Sequence, residues 1–202
     1  MQTASESLVG GFADAVHDAQ SVFRSLMDAL ARPGTLGTVT EVIQPPPPLG
    51  IAAGAILLTL CDHDTSIWLT PALLRSALPA WIGFHTVAPL AAEKNEAKFA
   101  FVDAGAMVPP LSHFALGSQE YPDRSATLVI ELPSLEAGPK LQLTGPGIRE
   151  TATIAPKGLP ETFLRQWTDN RALFPRGVDV VLTSGRQFLA LPRTTKITQM
   201  EA

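Results

Sequence analysis

Charge is what this sequence is short of. Charged side chains make up 17% of its 202 residues, 15 basic and 19 acidic, where about 25% is usual, or roughly 50 in a chain of this length. The shortage points to surface covered by partner subunits, because interface cores are depleted in charge. It does not point to disorder, which pairs high charge with low hydrophobicity, since 46% of the residues are hydrophobic. Positive charge is the scarcer sign. A net charge of −4, a pI near 5.5 and the lack of any basic stripe disfavour nucleic acid as a partner. Cysteine is nearly missing: Cys61 stands alone, so no intrachain disulfide forms and CxxC metal sites are excluded. The longest apolar stretch, Ile51 to Cys61, is far below the ~20 residues of a membrane span. Met1 to Val9 carries Glu6 and no basic residue, unlike a signal peptide. The expectation is a soluble cytoplasmic protein forming one domain over residues 1–202.

The familiar catalytic signatures are missing too. No GxxxxGK[ST] loop is present for a Walker-type nucleotide site, and no GxGxxG follows a strand. Gly145-Pro146-Gly147 is no substitute, because proline removes an amide that would face phosphate. Neither HExxH nor GxSxG occurs, so zincin and α/β-hydrolase chemistry lack support.

What is present is patterned secondary structure, punctuated by 18 prolines. Val16, Ala19, Phe23, Leu26 and Leu30 fall on one face of a helix over about Phe12 to Leu30, which Arg32-Pro33-Gly34 stops. Thr38 to Ile43 alternates as a strand, and Pro45 to Pro48 reads as a stiff surface spacer. Ile51 to Cys61 is apolar all round, as in a buried helix. Ser66 to Leu69 reads as a strand, then Thr70 as N-cap and Pro71 as first residue of a helix through Ile82. Strands are expected at Lys98 to Asp103, Ala126 to Leu132, Leu141 to Thr144 and Ile148 to Ile154. A looser helical piece falls at Ala106 to Leu116, and Pro160 opens a helix through Trp167. Val178 to Leu182 and Gln187 to Leu191 form a hairpin around Gly185, followed by a last strand at Lys196 to Thr198. The class is α/β or α+β with a mixed sheet.

Four places carry chemistry. In Asp62-His63-Asp64, the two carboxylates one residue apart can hold Mg²⁺ together with substrate phosphates, or simply bond to the amides of a turn. His85, just past a helix, is either a general acid–base or a packed helix-terminal imidazole. Tyr121-Pro122-Asp123-Arg124 reads as an ordered turn in which Arg124 can meet an anion. Arg193-Thr194-Thr195 sets a bidentate donor beside two hydroxyls, which suits phosphate or phosphonate oxygens as well as an ion pair or a subunit contact.

Several segments in order bear a family resemblance. They are His17 to Arg24 leading to Pro33-Gly34, Leu57 to Leu60 with Asp62, Asp64 and Thr65 before Trp68-Leu69, and Phe84-His85-Thr86. Glu120-Tyr121-Pro122, Leu143 to Ile148, Phe174 to Asp179 and Leu191 to Thr195 follow. The combination resembles the PhnH family, subunits of the bacterial carbon–phosphorus lyase system that consumes phosphonates.

The resemblance implies a three-layer α/β fold, a mixed sheet flanked by helices, akin to pyridoxal-phosphate-dependent transferases and usually homodimeric. It does not imply the cofactor: none of Lys94, Lys98, Lys140, Lys157 or Lys196 has a Schiff-base context. It implies a multi-subunit complex that uses ATP to attach methylphosphonate to ribose 5-triphosphate, releasing adenine, with phosphonate and ATP as ligands at the level of the complex. Carbon–phosphorus cleavage falls to a separate subunit with a cysteine-held iron–sulfur cluster, which one cysteine cannot supply. No metal is expected here. Asp62, Asp64, Thr65, His85, Arg193, Thr194 and Thr195 match the family's recurring motifs. Two functions follow as expectations. One is an enzymatic subunit for ribosyl transfer; the other is a non-catalytic dimeric scaffold that organises its partners. A free-standing pyridoxal-phosphate enzyme is a more distant third.

Overall fold

The computed structural model describes residues 9–200; Met1 to Leu8, most of the stretch read above for a signal peptide, lie outside them. Six strands build the central sheet. β2 (Ile67–Leu69), β3 (Phe99–Val102), β4 (Thr127–Glu131) and β7 (Asp179–Ser184) run parallel, and β8 (Gln187–Leu191) and β1 (Gly37–Thr38) close one edge antiparallel. The spatial order is β1-β8-β7-β4-β3-β2. The parallel strands are short apolar runs because both faces are covered. Phe101, Val129, Val181, Phe188 and Ala190 point to one face; Ala100, Leu128, Ile130, Val180, Leu182 and Leu189 point to the other.

On the first face lie α1 (Ala15–Ala31), α2 (Ile51–Leu60) and α4 (Leu78–His85). α2 is buried through Ala52 to Leu57, as its composition predicts. Its small residues let the chain approach closely: a Cβ on Gly54 would meet Pro45 Cγ at 2.7 Å. Pro45 and Pro46 are therefore buried against the helix, not part of a surface spacer. The second face carries α5 (Phe163–Ala172) and a small antiparallel sheet of β6 (Ala152–Ile154), β5 (Leu141–Thr144) and β9 (Lys196–Gln199). The three layers and the mixed sheet agree with expectation, with a second small sheet sharing the flank with a helix.

Several local expectations are corrected. α1 buries Val22, Leu26 and Ala29, so Val16 and Phe23 of the anticipated face, joined by Met27, remain exposed. The strand expected at Thr38 to Ile43 pairs only at Gly37–Thr38; beyond it, Val39 N–H donates to the Arg186 carbonyl and Arg186 Nη1 donates to the carbonyls of Val39 and Glu41, in place of a ladder. The helix after Thr70 breaks into α3 (Pro71–Leu74) and α4. Pro79 has no amide hydrogen, and its ring clashes with the carbonyl four residues earlier, so the helix must restart. Ala106 to Leu116 yields only a 3₁₀ turn at Leu111–His113, after Pro109-Pro110. β6 covers three residues of the expected Ile148 to Ile154, and α5 begins three residues after Pro160 but runs on to Ala172.

Candidate functional site

The residues singled out by sequence gather largely at one place, the amino-terminal edge of the parallel strands. Ser66, Lys98, Ala126 and Asp179 start or precede β2, β3, β4 and β7. They are tied in a row by Lys98 N–H to the Ser66 carbonyl at 2.9 Å, Thr127 N–H to the Lys98 carbonyl at 2.9 Å and Asp179 N–H to the Ala126 carbonyl at 3.3 Å. A cleft of about 590 Å³ opens over this row, lined among others by Ser66, Asn95, Lys98, Arg124, Ser125 and Thr127.

Arg193, at the end of β8, reaches into the wall of this region and is fully spent there. Its Nε donates to Asp179 Oδ1 at 3.1 Å and its Nη2 to Asp179 Oδ2 at 2.5 Å. Nη2 also donates to Ser125 Oγ at 2.5 Å, and Nη1 bridges the carbonyls of Pro122 at 2.9 Å and Pro175 at 3.2 Å. All five guanidinium N–H groups have protein acceptors, which leaves none for an anion. Arg193 is a bolt that fixes the Pro122–Ser125 turn to β7.

Arg124 sits on that turn, the 3₁₀ segment Pro122–Arg124, and its situation is the opposite. Its guanidinium stacks on the Tyr121 ring at 4.1 Å from the centroid and takes part in no ion pair among the described residues. Across the cleft, Lys98 Nζ donates to the Asp64 carbonyl at 2.7 Å, while Lys94 lies over Trp68 at 4.9 Å.

Asp62 and Asp64 border this end of the sheet as a turn. Asp62 Oδ1 accepts from Thr65 Oγ1 at 2.7 Å and Asp64 N–H at 3.0 Å. These bonds, the Thr65 hydroxyl first, hold the Asp62 carboxyl below the usual carboxylate range. Asp64 is exposed and lies 3.3 Å from His63 Nε2. Among the described residues no group of three or more His, Cys, Asp or Glu side chains is placed to hold a metal ion.

His85, Thr194 and Thr195 are elsewhere. His85 ends α4 and packs against Trp81 and Phe84, with ring centroids at 4.9 Å in each case. Gly11 lies so close that an added Cβ would stand 2.6 Å from His85 Cε1. Burial pushes its pKa down, a carbonyl contact from Val9 opposes this, and Nε2 is buried without a partner. Of the hydroxyls expected beside Arg193, that of Thr195 is buried and unpartnered. The Thr195 carbonyl accepts from Trp167 Nε1 at 2.8 Å, and the Thr194 carbonyl accepts from Arg171 Nε at 3.4 Å. The triplet is a corner joined to α5, and of the readings the sequence leaves open for it Arg193 makes the ion pair, with Asp179.

Sequence reasoning missed the carboxyl-terminal edge of the sheet. There Thr70 Oγ1 donates to Asp103 Oδ1, both side chains buried, and the Thr70 side chain makes no capping bond to α3. Glu131 accepts from Thr183 Oγ1 at 2.5 Å and Gly185 N–H at 2.9 Å. It also packs against the start of α2, where a Cβ on Gly50 would come within 2.4 Å of its Oε2. Thr70 and Asp103 directly following the apolar runs of β2 and β3 were the available signal.

Comparison with known proteins agrees with the order of motifs along the chain. A family model described as bacterial phosphonate metabolism protein (PhnH) matches residues 10–198. The chain is 56% identical over 197 residues, 98% of either protein, to the alpha-D-ribose 1-methylphosphonate 5-triphosphate synthase subunit PhnH of Rhizobium meliloti (strain 1021). It is 31% identical over 178 residues, 88% of this chain and 85% of the relative, to the putative C-P lyase subunit protein HtxG of Stutzerimonas stutzeri.

Proposed function

The chain belongs to the PhnH family of bacterial phosphonate metabolism proteins, and on that premise we propose that it is a subunit of the assembly making α-D-ribose 1-methylphosphonate 5-triphosphate. The observation that carries this is 56% identity across 98% of both chains to a subunit so named. At the level of the assembly, a phosphonate oxygen forms the new bond to C1 of the ribose of ATP and adenine leaves with the bonding pair. The triphosphate stays on C5.

Within that assembly the chain acts as an organiser, not as the group that breaks the glycosidic bond. Arg193 and Asp62, two of the polar side chains that the sequence offers for chemistry, are committed to holding turns and strand ends. Val16, Phe23 and Met27 form an apolar stripe on α1 that remains exposed, at 75%, 47% and 47%. Such a stripe on an otherwise packed helix suits a partner protein. The chain is a homodimer in this reading, works in the cytoplasm without a pyridoxal or metal cofactor, and keeps a transferase-like architecture as a platform. No helix among the described residues is long and apolar enough to cross a membrane.

The test is reconstitution of the remaining subunits with and without this chain, supplied with methylphosphonate and ATP, reading adenine release. Release should depend on the chain, and the chain alone should release none. Full turnover without it overturns its place in the assembly; release by the isolated chain overturns the organiser role.

A further inference from the structure

We propose that the cleft at the amino edge of the parallel strands is a binding site for a phosphate- or phosphonate-type oxyanion, held by Arg124 and Lys98. Two cationic side chains line one cleft, and neither has a carboxylate within 4.0 Å among the described residues. The contrast with Arg193 gives this meaning. Arg193, next door, has every donor used, while Arg124 is held only through its flat face on Tyr121, which orients the guanidinium yet leaves its edge donors available.

The wall behind them is suited to the same ligand. Ser125 Oγ accepts from Arg193 Nη2, so its own proton is left to donate. Thr127 adds a hydroxyl, and Lys98 is steadied by the Asp64 carbonyl with two of its three ammonium hydrogens left over. A planar fork, a point charge and hydroxyl donors match the several oxygens of a tetrahedral oxyanion better than the two of a carboxylate. Glu96 and Asp123 also border the cleft and oppose anions that cannot meet both cations at once. The volume, about 590 Å³, is that of a small-molecule pocket.

This deepens the subunit reading above and rests on it for where the ligand comes from, the triphosphate of a nucleotide or a phosphonate. Its test uses the full chain alone, so failure here leaves the reconstitution result standing. Calorimetric titration at low salt with inorganic tripolyphosphate, and separately with methylphosphonate, should give saturable binding to at least one. Tighter binding of the first assigns the site to a nucleotide's phosphates; tighter binding of the second assigns it to the phosphonate. Arg124→Ala and Lys98→Ala should each weaken that binding about tenfold to a hundredfold, as expected for losing charged hydrogen bonds. Arg24→Ala, a surface cation on α1, should leave it unchanged. Arg124→Gln keeps a planar polar side chain without the charge and should behave like Arg124→Ala, which separates ligand loss from misfolding. Absence of saturable binding to either anion, or wild-type affinity in both Arg124 variants, overturns the proposal.

Discussion

Arg193→Ala is the substitution on which the account of this end of the fold depends most. The guanidinium and its partner Asp179 are 14% and 22% exposed, so the small values measured for surface ion pairs do not apply. Truncation removes the two-pronged contact to Asp179 and the bonds to Ser125 and the Pro122 carbonyl, and strands the carbonyl of Pro175. The Asp179 carboxylate keeps the Arg193 backbone N–H at 2.7 Å. Breaking a buried pair by removing one partner costs about 3–5 kcal/mol, and because Asp179 retains some water the lower end, about 3 kcal/mol, is expected. At roughly 2–4 °C per kcal/mol for a protein of this size, the melting temperature should fall by about 6–12 °C. Thermal unfolding followed by circular dichroism at pH 7 measures it. Arg193→Lys restores charge but cannot span acceptors on three sides, so it should recover less than half of the loss. A fall of under about 2 °C for Arg193→Ala, at the low end of that scale for one kcal/mol, would refute the bolt.

Three further outcomes follow from single sites. Asn170, 3% exposed, donates through Nδ2 to the Val178 carbonyl and accepts Val178 N–H at Oδ1; Asn170→Asp sets a carboxylate against that carbonyl and should cost about 2–4 kcal/mol, read as a lower denaturant midpoint. Burial, and secondarily Asp62, push the Cys61 thiol up, so it stays protonated well above pH 8. A thiol reagent should label it only after unfolding, and rapid stoichiometric labelling of the folded chain would contradict its burial. His85 is held below the ordinary imidazole value by burial, so the unfolded chain binds more protons there, and stability should be lost as pH falls from just above 6.5. The exposed His17–Asp14 contact, which raises His17, works with the opposite sign. The comparison is therefore the difference in slope between wild type and His85→Asn, which should be flatter between pH 7 and 5.

Much of the architecture is legible along the chain because its determinants are local. The β3, β4, β7 and β8 runs are apolar on both faces, and the all-round apolar α2 has one way to be satisfied, burial between layers. Legibility fails where a residue has two local options and a distant one decides. The apolar arc of α1 is wider than the face it buries: Leu26 of the anticipated face is buried and Leu30 packs against the core, while Val16 and Phe23 stay exposed. Only the position of α2 and the sheet says which side of the arc turns inward. Thr70 reads as a cap, yet its side chain turns to Asp103, 33 residues on, and makes no capping bond.

The same logic separates the two arginines. By sequence, both arginines can meet an anion, Arg124 from an ordered turn and Arg193 beside two threonines, where an ion pair or a subunit contact suits it as well. Whether a guanidinium is free to bind, however, depends on its five donors, and the acceptors that fill those of Arg193 lie 14, 18, 68 and 71 residues away. No spacing pattern reports that. Those bonds place the Pro122–Ser125 turn, and through it Arg124, over the cleft. Arg193 therefore bears on anion binding through the turn it holds, and Arg193→Ala should weaken tripolyphosphate or methylphosphonate binding along with stability. Arg124→Gln should separate the two, losing the anion while melting within about 2 °C of wild type, as an exposed side chain without an ion pair allows. If instead Arg124→Gln lowers the melting temperature as much as Arg193→Ala does, the division of labour between the two arginines is wrong.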